Sequence, residues 1–164
     1  MLGPLDQSQI EELLKSQFIG RIGCYANGIT YIVPVNYVYE NNIIYAHSTE
    51  GLKLSMLRNN PEVCFEVDAI TDMFNWESAV LWGRFEEITE LNDKTAAMQK
   101  IINRIQPFLK TEQHHPSHGI TENASDIGYE KELIVYRIVL AKKTGRFEKT
   151  TAGISQSTNN KELM

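Results

Sequence analysis

The chain has 164 residues and a mass of 18.7 kDa, the size of one domain with a substantial core. Sixteen Lys and Arg against 21 Asp and Glu leave a formal net charge of −5, which argues against the basic face of a duplex nucleic-acid binder. A composition of 42% hydrophobic and 23% charged residues is globular, and no apolar run approaches the ~20 residues that cross a bilayer. The first residues lack a basic stretch followed by an apolar one, so no secretory signal is expected and the cytoplasm is the expected compartment. Cys24 and Cys64 lie in apolar, strand-like runs without metal-ligand spacing. They read as reduced, buried thiols, with a disulfide or a reactive thiol as the lesser alternatives.

In chain order, Ser8 and Glu11 fit a capping box for a helix with Ile10, Leu13, Leu14 and Phe18 on one stripe, and Gly20 is placed to end it. The period then changes. Residues 22–26 read as a strand, Asn27-Gly28 as a hairpin turn, 29–39 as a long strand interrupted by Pro34, Asn41-Asn42 as a second turn, and 43–47 as a third strand. Together these predict an antiparallel meander. Pro34 cannot donate to a ladder, so it marks an edge, a bulge or a place where something other than a strand lies alongside. A polar loop at 48–51 leads into a short helix at 52–58, which Asn59-Asn60-Pro61 stops. Further strands follow at 63–67 and, with Gly83 as a bend or bulge, at 78–88, joined by a turn-rich stretch at 68–75. Asn92 is placed to cap a helix with Met98, Ile101, Ile102, Ile105 and Phe108 on its stripe. Residues 106–130 read as a polar loop, 133–141 as a sixth strand and 144–147 as its extension after a turn. The expectation is a mainly β chain: a six-stranded antiparallel split barrel with peripheral helices, one domain over residues 1–149, and a polar, disordered tail at 150–164.

One constellation carries chemistry. The run Tyr31-Ile32-Val33-Pro34-Val35-Asn36-Tyr37 is followed, one turn and one strand later, by His47-Ser48-Thr49-Glu50-Gly51-Leu52-Lys53. The second run offers a hydroxyl, a glycine, helix N-terminal amides and a lysine, the parts that hold a phosphate monoester. Pro34 and Val35 offer backbone groups and an apolar surface for a flat ring.

These residues carry a resemblance. V-P-V-N-Y, then H-S-x-x-G-x-K, then L-R-x-N-P-x-V-C-F-E-V-D, then W-x-S-x-V-x-W-G-R is similar to the FMN-binding split-barrel superfamily, in its pyridoxamine 5′-phosphate oxidase-like branch that includes the nitroimidazole-resistance proteins. The resemblance covers residues 18–88 and, more weakly, 133–148. It implies a homodimer with FMN at the interface, with FAD as the alternative flavin and haem as a minority alternative. It assigns Lys53, with Leu52, His47 and Ser48 before it, to the phosphate. Val33, Pro34, Val35 and Asn36 would line the ring, and Ser78 to Val80, with Trp76 nearby, would form the strand that closes the site. The chain departs from the pyridoxamine phosphate oxidases proper, which have an Arg-Lys pair at Leu52-Lys53, a Lys at Asn36 and a Gln at Ser78. Vitamin B6 oxidation is therefore not expected. An FMN-dependent oxidoreductase passing electrons to a small aromatic acceptor, such as a nitroaromatic, is the leading expectation. A non-catalytic flavin- or haem-binding protein on the same barrel is the alternative.

Plainer readings stand beside these. Lys53 on a first helical turn is by itself most simply solvated, and Trp76 and Trp82 are most simply core or interface aromatics. Arg58 and Arg84 read as surface ion-pair residues, with a reach to a phosphate from the neighbouring strand as the lesser alternative for Arg84. His47 has three candidate roles: a phosphate donor, a neighbour of the flavin edge, or a loop cap. His114, His115 and His118 invite a metal, but Pro116 opposes a regular helix and only Glu112 lies nearby, so no metal site is expected.

Overall fold

The computed structural model describes residues 1–109 and 133–150. In chain order the elements are β1 (Leu2–Pro4), α1 (Gln7–Ser16), β2 (Ile19–Ala26), β3 (Ile29–Asn36), β4 (Val38–Glu40), β5 (Ile43–Ser48), α2 (Leu52–Asn59), β6 (Glu62–Asp72), β7 (Asn75–Glu87), α3 (Leu91–Leu109) and β8 (Ile134–Glu148). The strands form one antiparallel sheet in the order β3-β2-β6-β7-β8-β5-β4, and β1 adds to the far end of β8. This is the mainly β split barrel with peripheral helices that the sequence predicts. No helix among the described residues is long and apolar enough to cross a membrane.

Strand alternation explains the core. Ile22, Cys24 and Ala26 of β2, Val63, Phe65 and Val67 of β6, and Ala79, Leu81 and Phe85 of β7 point inward at every second position. Ile10, Leu13 and Leu14 of α1 and Leu54, Met56 and Leu57 of α2 join the same core. Each of the larger side chains contributes about 1.5–3 kcal/mol by leaving water. A second, smaller core forms under α3 from Ala97, Met98 and Ile101 against Ile88, Leu133 and Val135. Both tight turns form as the sequence dictates: Asn27 and Gly28 have φ of 53° and 80°, and Asn41 and Asn42 have 51° and 65°.

Several expectations are corrected, each for a local reason. The N-cap of α1 is Asp6, whose carboxylate accepts from the Gln9 amide at 2.9 Å while Gln9 Oε1 accepts from the Asp6 amide at 2.9 Å. That box replaces one built on Ser8 and Glu11. The helix ends at Ser16, and Gly20 lies within β2, where a Cβ would strike the Phe65 ring. The long strand at 29–39 breaks at Tyr37 rather than at Pro34, because β3 is an edge strand and tolerates a proline. The turn-rich stretch at 68–75 is mostly ladder, with β6 and β7 paired as far as Asp72 and Asn75. There is no turn inside β8: Trp82 pairs with Lys142 and Gly83 with Leu140, so Ala141 is the extra residue of a bulge. Gly83 is required there, since a Cβ would lie 2.5 Å from the Val139 carbonyl oxygen. Asn92 lies inside α3, which continues past Gln106 and carries Pro107 in its last turn. The split at Tyr37 and the added β1 raise the strand count from six to eight. His114, His115, His118 and the tail beyond Thr150 lie outside the described residues.

The largest correction concerns topology. The pairs β2–β3 and β4–β5 are hairpins, but β3 and β4 are at opposite ends of the strand order. The expected three-strand meander does not form. The chain instead crosses from one edge of the sheet to the other at Tyr37, and the barrel has an open seam there.

Candidate functional site

Tyr37 holds the seam. Its amide donates to the Phe18 carbonyl at 3.2 Å and its hydroxyl to the Leu14 carbonyl at 2.8 Å. Its ring meets Phe65 edge-on, with centroids 5.3 Å apart. Burial pushes the phenol well above its ordinary titration range, so it stays a neutral donor. With this crossing fixed, the end of β3 lies across a gap from the end of β5.

A cavity of about 390 Å³ occupies the gap. Ile19, Pro34, Val35 and Leu133 give it apolar walls, and Asn36, His47, Ser48 and Thr49 give it polar ones. Register places these residues: Ile19 pairs with Asn36, and Ser48 pairs with Ile134, the residue after Leu133. A second cavity, of about 320 Å³, lies toward α3 and shares Ile19, Asn36 and His47 with the first.

The loop below the first cavity leads directly into α2. Gly51 is the N-cap and supplies no side-chain acceptor, so the first amides of the helix have no capping side chain. Ser48 Oγ donates to the Thr49 carbonyl at 3.0 Å. Arg58, from the last turn of α2, holds Glu50 with two hydrogen bonds of 2.8 Å and also pairs with Glu87 of β7. The loop is thereby tied to both the helix and the sheet. Arg58 is thus an ion-pair residue, and so is Arg84, which bonds Glu62 at 2.7 Å.

Lys53 is half-buried rather than freely solvated. Its Nζ lies 5.9 Å from the centre of the buried Tyr136 ring, and among the described residues it has no carboxylate partner. Burial lowers its pKa from the ordinary lysine value, an effect partly offset by Cys24. Tyr136 is fully buried, and its hydroxyl has no partner among the described residues. A half-buried cation therefore lies behind the loop with no counter-ion among the described residues.

Of the residues singled out in the sequence, Pro34, Val35, Asn36, His47 and Ser48 meet around the first cavity. Val33 packs against the core instead, opposite Ile22 in the ladder. Leu52 is 61% exposed, and Lys53 points under the helix rather than into the cavity. Trp76, Ser78 and Val80 lie on β7, with β2 and β6 between them and β3. There Trp76 Nε1 donates to Glu148 at 3.2 Å. Ser78 Oγ donates to Glu66 at 2.8 Å, and Glu66 with Asp68 holds Arg21. Within one chain, β7 does not reach the cavity. Cys24 and Cys64 are both free and on opposite faces of the sheet, with Cys24 inward and Cys64 lining the outer face. Among the described residues, no group of three His, Cys, Asp or Glu is placed to hold a metal.

Local sequence pattern does not single out Ile19, Thr49 or Leu133 as site residues, nor the second cavity as a whole. Thr49 belongs to the polar run between His47 and Lys53. Ile19 and Leu133 were hidden because the signal for them is strand register, which no local pattern encodes.

A family model described as pyridoxamine 5′-phosphate oxidase matches residues 6–146. An uncharacterised protein of Rhizobium meliloti is 26% identical over 84 residues, which cover 51% of this chain and 56% of that protein. The chain thus matches little more than half the length of this curated relative. Among solved structures, an FAD-binding protein of Mesorhizobium loti is similar with a TM-score of 0.72 and 23% identity, covering 91% of this chain and 99% of that one. A proposed 5-nitroimidazole antibiotic resistance protein of Bacteroides thetaiotaomicron has a TM-score of 0.67 and 23% identity, covering 90% and 87%. At these identities the structural likeness establishes the fold.

Proposed function

The chain belongs to the pyridoxamine 5′-phosphate oxidase family, and from that membership we propose that it is a flavoprotein: an FMN-dependent oxidoreductase acting on a small aromatic acceptor. One observation carries this reading. The seam cavity opposes an apolar strand wall, Ile19, Pro34 and Val35, to the polar end of β5 and the loop after it, His47 to Thr49, which leads into a helix with no capping side chain. This donor set fits a flavin mononucleotide, which joins a flat apolar ring to a phosphate dianion. The FAD-binding character of the Mesorhizobium loti neighbour supports a flavin on this fold.

The residues divide the work. Ser48, Thr49, the first amides of α2 and Lys53 would hold the phosphate, where the helix dipole adds to the lysine charge. Lys53 would exchange its contact with the Tyr136 ring for a charged partner. Pro34 presents no N–H and the Val35 side chain is apolar, so this stretch of β3 would offer a ring system a largely apolar surface. Asn36 and His47 would meet its polar edge. When bound, the flavin supplies the redox chemistry, and the protein supplies binding, orientation and exclusion of water. The neutral Asn36 and Leu52 argue against vitamin B6 phosphate as substrate.

The outer face of β3, β2, β6 and β7 would be the surface of a homodimer. Ile32, exposed by 64%, and Trp82, by 41%, lie there with Cys64, and pairing two copies would cover them. In such a dimer the β7 residues Ser78 and Val80 would close the partner's site. The two free thiols suit a reducing cytoplasm. A visible spectrum of the untreated, freshly purified protein tests the reading. Flavin bands support it; an intense haem band or a colourless protein that takes up no added FMN overturns it.

A further inference from the structure

The second cavity invites its own assignment. We propose that it is the acceptor compartment and that it takes an uncharged, flat, apolar ring, a conclusion that rests on the flavin reading of the first cavity. The two cavities share Ile19, Asn36 and His47, so a ring in the second would adjoin a flavin in the first. Phe18, Tyr37, Val38, Ile101, Ile105 and Phe108 give the compartment apolar walls. Phe18 and Phe108 meet edge-on, with centroids 4.8 Å apart, and remain 38% and 54% exposed. Large aromatics kept partly in water at the edge of a cavity are what an aromatic ligand would cover. About 320 Å³ suits a ligand of one or two rings.

Arg104 decides the charge of the ligand. Among the described residues it is the one Lys or Arg lining this cavity. Its Nη2 donates to the Lys15 carbonyl and, at 3.0 Å, to the Gln17 carbonyl. Its guanidinium lies 4.0 Å from the centre of the Phe18 ring. The cation thus joins α3 to the C-terminal end of α1, where cations complement the helix dipole, and stacks on an aromatic wall. These contacts occupy Nη2 and hold the guanidinium against Phe18, so an anionic ligand would have to compete with them for its charge and would reach only the remaining N–H groups. A neutral ring leaves them intact and adds apolar contact, so the compartment favours the neutral congener.

The test compares nitrobenzene with 4-nitrobenzoate, titrated into the full-length protein and followed by ligand-observed NMR. The expected result is binding of nitrobenzene about tenfold or more tighter than its carboxylate congener, the cost of desolvating an unpaired charge. Ile105→Trp, which fills the second cavity without lining the first, should weaken nitrobenzene by about tenfold while FMN affinity holds. Should that variant fail to fold, Val38→Phe fills the same space from β4. Equal or tighter binding of 4-nitrobenzoate overturns the charge assignment. Unchanged nitrobenzene binding in a folded, cavity-filled variant overturns the compartment. Loss of the flavin reading shows separately, as a wild-type protein that binds no FMN.

Discussion

Replacing Lys53 with methionine should separate binding from stability. In the free protein the Lys53 ammonium is half-buried against Tyr136 with no counter-ion among the described residues, and burial already lowers its pKa. Methionine keeps the apolar stem and removes the desolvated charge, so the variant should be as stable as wild type or more stable by up to about 1 kcal/mol. Flavin binding should respond in the opposite direction. A hydrogen bond between a cation and a phosphate contributes about 1.5–3 kcal/mol, so the dissociation constant for FMN should rise by about 10- to 150-fold. Riboflavin, which lacks the phosphate, should bind both proteins alike. The pH dependence has a definite sign. A phosphate raises the pKa of the lysine it meets, so the FMN advantage over riboflavin is full below the lowered pKa of free Lys53 and declines as pH rises through it. Fluorescence titrations with both flavins across pH, beside urea unfolding, measure all of this. Equal FMN affinity in Lys53→Met, or a riboflavin loss as large as the FMN loss, would refute the phosphate assignment.

Other expectations follow from neighbouring contacts. Arg58→Ala releases Glu50 and with it the loop below the cavity, so FMN affinity should fall severalfold with riboflavin little changed; a loss equal for both flavins would mean a general structural role. Lys143 and Tyr39 hydrogen-bond Glu11, and although burial works against them they hold its carboxyl below the ordinary value of 4.5. The unfolded chain therefore takes up that proton first as pH falls, and Glu11→Gln should cost about 1–2 kcal/mol at pH ~7, with the difference from wild type fading in acid, as read by urea melts at both pH values. Trp82→Glu places a charge on the outer sheet face, and light scattering should find a species near 18.7 kDa where wild type gives twice that mass; an unchanged assembly places the interface elsewhere.

Local chemistry was legible in the sequence, and long-range pairing was not. Asn27-Gly28 and Asn41-Asn42 specify their turns because few residue types accept positive φ, and Gly83 marks its bulge because a side chain there would meet a carbonyl. Pro34 correctly signals an edge. Adjacent strands joined by tight turns suggest a meander, whereas Tyr37 carries the chain from one edge of the sheet to the other, an outcome fixed by its contacts with Phe18, Leu14 and Phe65. Asp68 to Asp72 looks like a turn by composition, yet register with β7 makes it strand. Lys53 shows the same limit within the site. Its place in the loop pattern was evident, but its burial under α2 depends on Tyr136 from a strand more than eighty residues away.

The central claim is that a flavin occupies the seam cavity, and a plugged variant tests it directly. Thr49 is exposed and lines that cavity, so Thr49→Trp obstructs it without disturbing the core. FMN fluorescence, titrated with wild type and with Thr49→Trp, should be quenched by wild type at one flavin per chain and by the variant only at much higher protein concentration. Fluorescence that wild type leaves unchanged, or equal quenching by a folded Thr49→Trp, would contradict the account.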